Sequence, residues 1–176
     1  MQQTWNSILS ELLATEEPAD LGPRRRPGTL STAEIDARLE GAWAPSTREL
    51  LRAVIYLWHD HLDEAHQIVQ DIENADGSLA HAIMHRREPD FGNAKYWFRR
   101  AGRRPSFLSL AVRASETLEK AGGEALHKVL LPNNSWDPFA FVDAVERASR
   151  ATAPVLQQVQ KVEFEALIKS LAEPES

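Results

Sequence analysis

No stretch of this chain alternates between apolar and polar residues with period two. Apolar residues instead recur at helical spacing almost from end to end. Trp5, Ile8, Leu9, Leu12 and Leu13 form one such stripe, which predicts a helix over residues 2–17. Ser31 with Glu34, and Ser46 with Glu49, have the spacing of capping boxes. The first box predicts a short helix at 31–40. The second predicts a long helix at 46–72, with Leu51, Ile55, Trp58, Leu62, Ala65, Val69 and Ile72 on its inner face. Asn74 to Gly77 reads as a stop and turn. Further helices are expected at 78–87, at 91–101 behind Asp90 and before Gly102, at 106–120, at 124–131, at 137–150 behind Asp137-Pro138, and at 153–171.

These elements predict a single all-α domain spanning residues 1–176, an irregular bundle of about seven to nine helices. A chain of 176 residues can bury a full core without staples. The segment 16–30, EEPADLGPRRRPGTL, has three prolines and two glycines, so it is expected to be a flexible loop with Arg24–Arg26 as a solvated tip. Residues 173–176 are expected to fray.

Composition removes several classes of function. There is no cysteine, so disulfides, thiol nucleophiles and cysteine-bound metals are excluded. With 20 basic against 26 acidic residues the net charge is −6, and nucleic acid is not an expected partner. No run of about 18 apolar residues predicts a membrane span, and Met1 to Ser10 does not read as a signal peptide. A cytoplasmic location is the expectation. A homo-oligomer through the first or last helix is compatible with the pattern, though no residue demands one. The glycines are dispersed, so no nucleotide-cofactor loop is present. There is no nucleophile elbow around a serine and no HExxH zinc-protease string.

One chemical feature stands out. Five of the six histidines, His59, His61, His66, His81 and His85, fall within 27 residues. On an unbroken helix at 46–72, His59, Asp63 and His66 would share one edge at i, i+4 and i+7. His81 and His85 share a face of the next helix, and a short turn would fold the two helices together. His59, Asp63, His66, His81 and His85 are therefore the candidate ligands of a divalent metal, for which zinc, iron, manganese or nickel would suit. Glu64 and Glu88 are candidate general bases beside a metal-bound water. His61 falls on the other flank and is left out. A metal-free acid/base pocket and a structural polar network remain the competing readings of the same residues.

Residues 86–104 carry seven positive and two negative side chains inside an acidic protein. Most of these arginines are expected to pair with neighbouring acidic residues. Arg86, Asn93, Trp97 and Arg100 are the candidates for a flat cationic wall that would bind an anionic or sugar-like small molecule. The functional expectation is thus a small-molecule site between helices 46–72 and 78–101. The alternative is a non-catalytic helical interaction module.

The stretch 81–105, HAIMHRREPDFGNAKYWFRRAGRRP, resembles a signature of a family of uncharacterised bacterial proteins. The elements that carry it are His81 to Arg87, Glu88-Pro89-Asp90, Asn93-Ala94, Tyr96-Trp97 and Arg99-Arg100-Ala101-Gly102, with WHDHLDEAH at 58–66 as the preceding block. The family has no established activity, so the resemblance implies no reaction. Its members often carry histidine before the proline that follows the glycine. Here that position is Arg104, which argues against an essential histidine there and leaves the 59–85 set untouched.

Overall fold

Two helices have their side chains buried along most of their length, and the others pack around them. In the computed structural model, which describes residues 5–173, these are α3 (Pro45–Trp58) and α5 (Ala75–Arg87). Every residue from Ala53 to Trp58 in α3, and from Gly77 to Arg87 in α5, is buried. The surrounding elements are α1 (Trp5–Leu13), α2 (Thr32–Leu39), α4 (Leu62–Val69), α6 (Phe91–Ala101), α7 (Ser106–Lys120), α8 (Glu124–Leu130), a short 3-10 turn (Pro132–Asn134), α9 (Pro138–Glu146) and α10 (Ala153–Ala172). The described residues form one all-α domain of ten helices without strands. None of these helices is long and apolar enough to cross a membrane. The tail expected to fray lies outside the described residues except for Glu173, as do the first four residues.

Local signals set several helix ends. Ser31 and Glu34 form the expected reciprocal capping box at α2. Asp90 caps α6 through the Asn93 amide, and Gly102 ends it with φ 64. Asp137 caps α9 through the amides of Phe139 and Ala140, with Pro138 at the first helical position. The second expected box does not form. Pro45 begins α3 behind Ala44, with no side-chain cap. Asn74 proves to be a cap, not the middle of a turn: its side chain accepts from the Gly77 amide, and 75–77 are helical. Gly77 allows this, since a Cβ there would collide with the backbone carbonyl of Ile72.

The expected helix 46–72 is broken into α3 and α4, which accounts for the tenth helix. Asp60 stands in the left-handed region (φ 68), which aspartate tolerates better than most residues. The break is held by two arginines distant in sequence. Arg26 donates to the carbonyl of Trp58, and Arg87 donates to the carbonyl of Leu57, so both cap the C-terminus of α3. Each also pairs with the Asp60 carboxylate at 2.9 Å, Arg26 on Oδ2 and Arg87 on Oδ1. Burial alone would raise the Asp60 pKa. The hydrogen bonds from Arg26 and the charge of Arg87 outweigh it, and the carboxyl lies below its ordinary range.

Arg26 is therefore not a solvated tip: it is 5% exposed. The proline-rich segment is a strap with fixed partners. Gln160 donates to the carbonyls of Ala19 and Asp20, and Arg87 to that of Gly22. His59 and His61 bind the backbone of Leu30.

Candidate metal centre

A helix buried on every side must find partners for each ionisable side chain it carries, because an unpaired buried polar group is costly. In α5 these are His81, His85, Arg86 and Arg87. The arginines are almost fully engaged. Arg87 serves Asp60, Leu57 and Gly22, as above. Arg86, 0% exposed, forms a two-pronged pair with Glu163 of α10, donates to Gln160 Oε1 at 3.2 Å and lies 4.5 Å over the Phe141 ring. Each arginine leaves only Nε without a partner. The histidines are different. Both ring nitrogens of His81 and Nδ1 of His85 are buried and make no hydrogen bond.

α4 packs beside α5 across the short 70–74 connection and brings His66 to these two rings. The ring centroid of His66 is 5.0 Å from His81 and 5.4 Å from His85. His81 and His85 stack at 4.8 Å with an interplanar angle of 12°. One nitrogen from each of the three rings lies within 4.8 Å of the others. Trp97 of α6 closes the far side, stacked on His81 at 4.0 Å. Glu88 stands at the open side, with one carboxylate oxygen 3.4 Å from His85 Nδ1 and the other 3.9 Å from His66 Nδ1. The first makes no hydrogen bond, and the second is beyond hydrogen-bond distance. Asp90 lies 3.9 Å from His85 Nδ1. Burial and the neighbouring imidazoles push the His81 pKa down to about 4. Burial also lowers His85, against the opposing pull of Glu88. Neutral imidazole is the form that ligates a metal.

Glu88 and Asp90 also line a cavity of about 430 Å³ with Asp63, Arg25, Pro23 and Leu62. The histidine cluster and this cavity thus share a carboxylate, Glu88.

Two expected ligands do not join the cluster. The break at Asp60 resets the helical phase, so the i, i+4, i+7 relation of His59, Asp63 and His66 does not exist. His59 is spent elsewhere: Nδ1 accepts from the Leu30 amide at 3.1 Å, and Nε2 donates to the Leu12 carbonyl at 2.6 Å. Asp63 is exposed in the first turn of α4, at the cavity mouth. The expected wall is rearranged as well. Arg86 faces α10, and Asn93 holds Asp90 at 2.8 Å through its side-chain amide. Arg100 is exposed, 5.3 Å over the Trp97 ring and 6.0 Å over that of Tyr96. Trp97 alone reaches the histidines. Glu64 has a buried oxygen without a partner, but no hydrogen bond or ion pair ties it to the cluster among the described residues.

His59 carries a prediction of its own. Burial lowers its pKa below the ordinary imidazole value, with the Arg26 charge adding to the effect. It is neutral when folded and takes up a proton on unfolding below about pH 6.5. Its contribution to stability is present above that pH and is lost as pH falls toward the folded pKa, by about 1.4 kcal/mol per pH unit. His59→Gln can keep both backbone bonds and cannot titrate. Urea unfolding between pH 7.5 and 5 should show a shallower pH slope for this variant than for the wild type. Equal slopes would remove His59 from the account.

Comparison of the chain with protein-family models, with curated proteins and with solved structures finds no match.

Proposed function

We propose that His66, His81 and His85 bind a divalent transition metal, zinc being the best suited, and that the metal serves a small molecule held in the adjoining cavity. The observation that carries this reading is the set of orphaned nitrogens. A helix that engages all but one nitrogen of each buried arginine leaves both ring nitrogens of His81 and Nδ1 of His85 without a hydrogen bond, beside a third histidine across a turn. Three imidazoles with an open position are a common catalytic zinc set. A tetrahedral site at Zn–N distances of about 2.0 Å needs nitrogens roughly 3.3 Å apart, so small ring rotations would close the cluster on the ion. Glu88, between the rings and the cavity, would be a fourth ligand or the base for a bound water. Trp97 would fix the His81 ring by stacking.

The cavity mouth carries Asp63, Glu88 and Asp90 against Arg25. That charge favours a sugar-like or cationic molecule over an anion. The competing reading is a non-catalytic interaction module, and the near-parallel stack of His85, His81 and Trp97 is the observation in its favour, since stacked rings can be simple packing.

Metal analysis of protein purified without a histidine tag decides between them. The expected result is roughly one zinc, or another divalent metal, per chain. After chelation, zinc at 100 times its Kd should add about 2.7 kcal/mol of stability, a rise of about 5–10 °C in Tm for a chain of this size. His81→Ala/His85→Ala should lose both effects. Less than ~0.2 metal per chain, with no thermal shift from zinc, manganese, iron or nickel, would leave the interaction module as the better reading.

A further inference from the structure

A second cleft, of about 570 Å³, shares no lining residue with the histidine centre. Its walls are aromatic. Phe98 comes from α6, Phe107 from the start of α7, Trp136 from the irregular segment before α9, and Phe139 from the first turn of α9. Phe98 and Phe139 meet edge to face at 6.4 Å. Arg99 and Arg103 stand at its rim, both exposed.

The basic stretch 86–104 makes these two arginines distinctive. Arg86 pairs with Glu163, Arg87 with Asp60, Lys95 with Asp143 and Arg104 with Asp76. Arg100 lies over Tyr96 and Trp97. Arg99 and Arg103 have no ion pair, hydrogen bond or ring contact among the described residues. Four of the seven cations in this stretch have an acidic partner and Arg100 lies over two rings; Arg99 and Arg103, both at this cleft, have neither. The helix dipole accounts for a cation in the last turn of α6. It does not account for two guanidinium groups bordering an aromatic hollow.

A buried donor is also left over at the same place. Trp136 is 6% exposed, and its indole N–H makes no hydrogen bond. Asp137 is the one carboxylate in the lining, and its Oδ1 is engaged in capping α9 through the Phe139 and Ala140 amides. The cleft has the volume of a typical small-molecule site. Apolar walls with a few placed polar groups are also typical of such sites.

We propose that this cleft binds a small organic anion with an aromatic body, an aryl carboxylate in its simplest form. The ring lies among Phe98, Phe107, Trp136 and Phe139. The carboxylate is held by Arg99 and Arg103, whose forked donors suit a planar anion. The site is independent of the metal reading and stands or falls without it.

Calorimetric titration of the full chain with 2-naphthoate tests it, with neutral 2-naphthalenemethanol as the control. The expected result is one naphthoate per chain, bound at least tenfold more weakly by Arg99→Gln/Arg103→Gln. The alcohol should bind both proteins weakly and equally. Neither arginine has a partner to lose, so this variant keeps its fold, which a thermal melt verifies. His81→Ala/His85→Ala should bind naphthoate as the wild type does. No binding at millimolar naphthoate would overturn the proposal. So would equal affinity in the arginine variant, or loss of binding in the histidine variant alone.

Discussion

Asp60→Asn is expected to destabilise the domain by about 3–5 kcal/mol, the range for removing one partner of a buried ion pair. Asp60 faces two guanidinium groups, and all three side chains are nearly inaccessible (2% and 1% for Arg26 and Asp60, 0% for Arg87). Each carboxylate oxygen serves one arginine. Asparagine keeps one acceptor, turns an amide donor toward the other guanidinium and leaves two buried positive charges without a counter-ion. A domain of this size has about 5–15 kcal/mol in total, so the loss is a large fraction. Asparagine also tolerates the left-handed backbone that Asp60 adopts, which confines the effect to charge. Asp60→Ala should cost more, because it adds the backbone strain. Urea denaturation measures both. Asp63→Asn, exposed and three residues away, is the control and should stay within about 0.5 kcal/mol of wild type. An Asp60→Asn value as small as the control would mean that the arginines cap α3 without needing the carboxylate.

Asp60 also shows where the sequence stops being readable. Helix starts and stops written into adjacent residues are legible: Ser31 with Glu34, Asp90 with Gly102, Asp137 with Pro138. The break at Asp60 is not, because its cause lies 34 residues earlier in Arg26 and 27 residues later in Arg87. Apolar periodicity continues across the break, since α3 and α4 both present apolar faces to the same core. The candidate site divides along the same line. His66, His81 and His85 can be grouped from i, i+4 spacing and a short turn, both local. The expectation for His59 and Asp63 rests on an unbroken helix and fails with it. Arg86 follows His85 directly in sequence, but successive residues in a helix point about 100° apart. That rotation aims it at Glu163 on α10. Nothing near residue 86 announces that partner.

Glu163→Gln is the second substitution expected to be severe, at about 3–5 kcal/mol. Arg86 and Glu163 are 0% and 4% exposed at the side chain, and the guanidinium meets both carboxylate oxygens. Gln160 adds one further acceptor but no charge. Glutamine at 163 would leave a buried cation facing one carbonyl and one amide donor. The test that separates charge from packing is the double variant Arg86→Met/Glu163→Leu. Buried ion pairs replaced together by apolar residues of similar volume are often neutral, and Phe141 already offers an apolar surface against Arg86. The double variant should therefore recover most of the stability lost in Glu163→Gln. The two forms should also differ at the histidines. Arg86 ties α5 to α10 one residue beyond His85, so a strained or shifted Arg86 would displace that ring. On the proposed metal reading, zinc affinity of the metal-free protein should fall roughly 10-fold or more in Glu163→Gln, the size of effect seen when a residue supporting a ligand is lost. It should return toward the wild-type value in the double variant. If the double variant is as unstable as Glu163→Gln, the charged pair itself is required, and α5 is held by electrostatics that no apolar contact can replace.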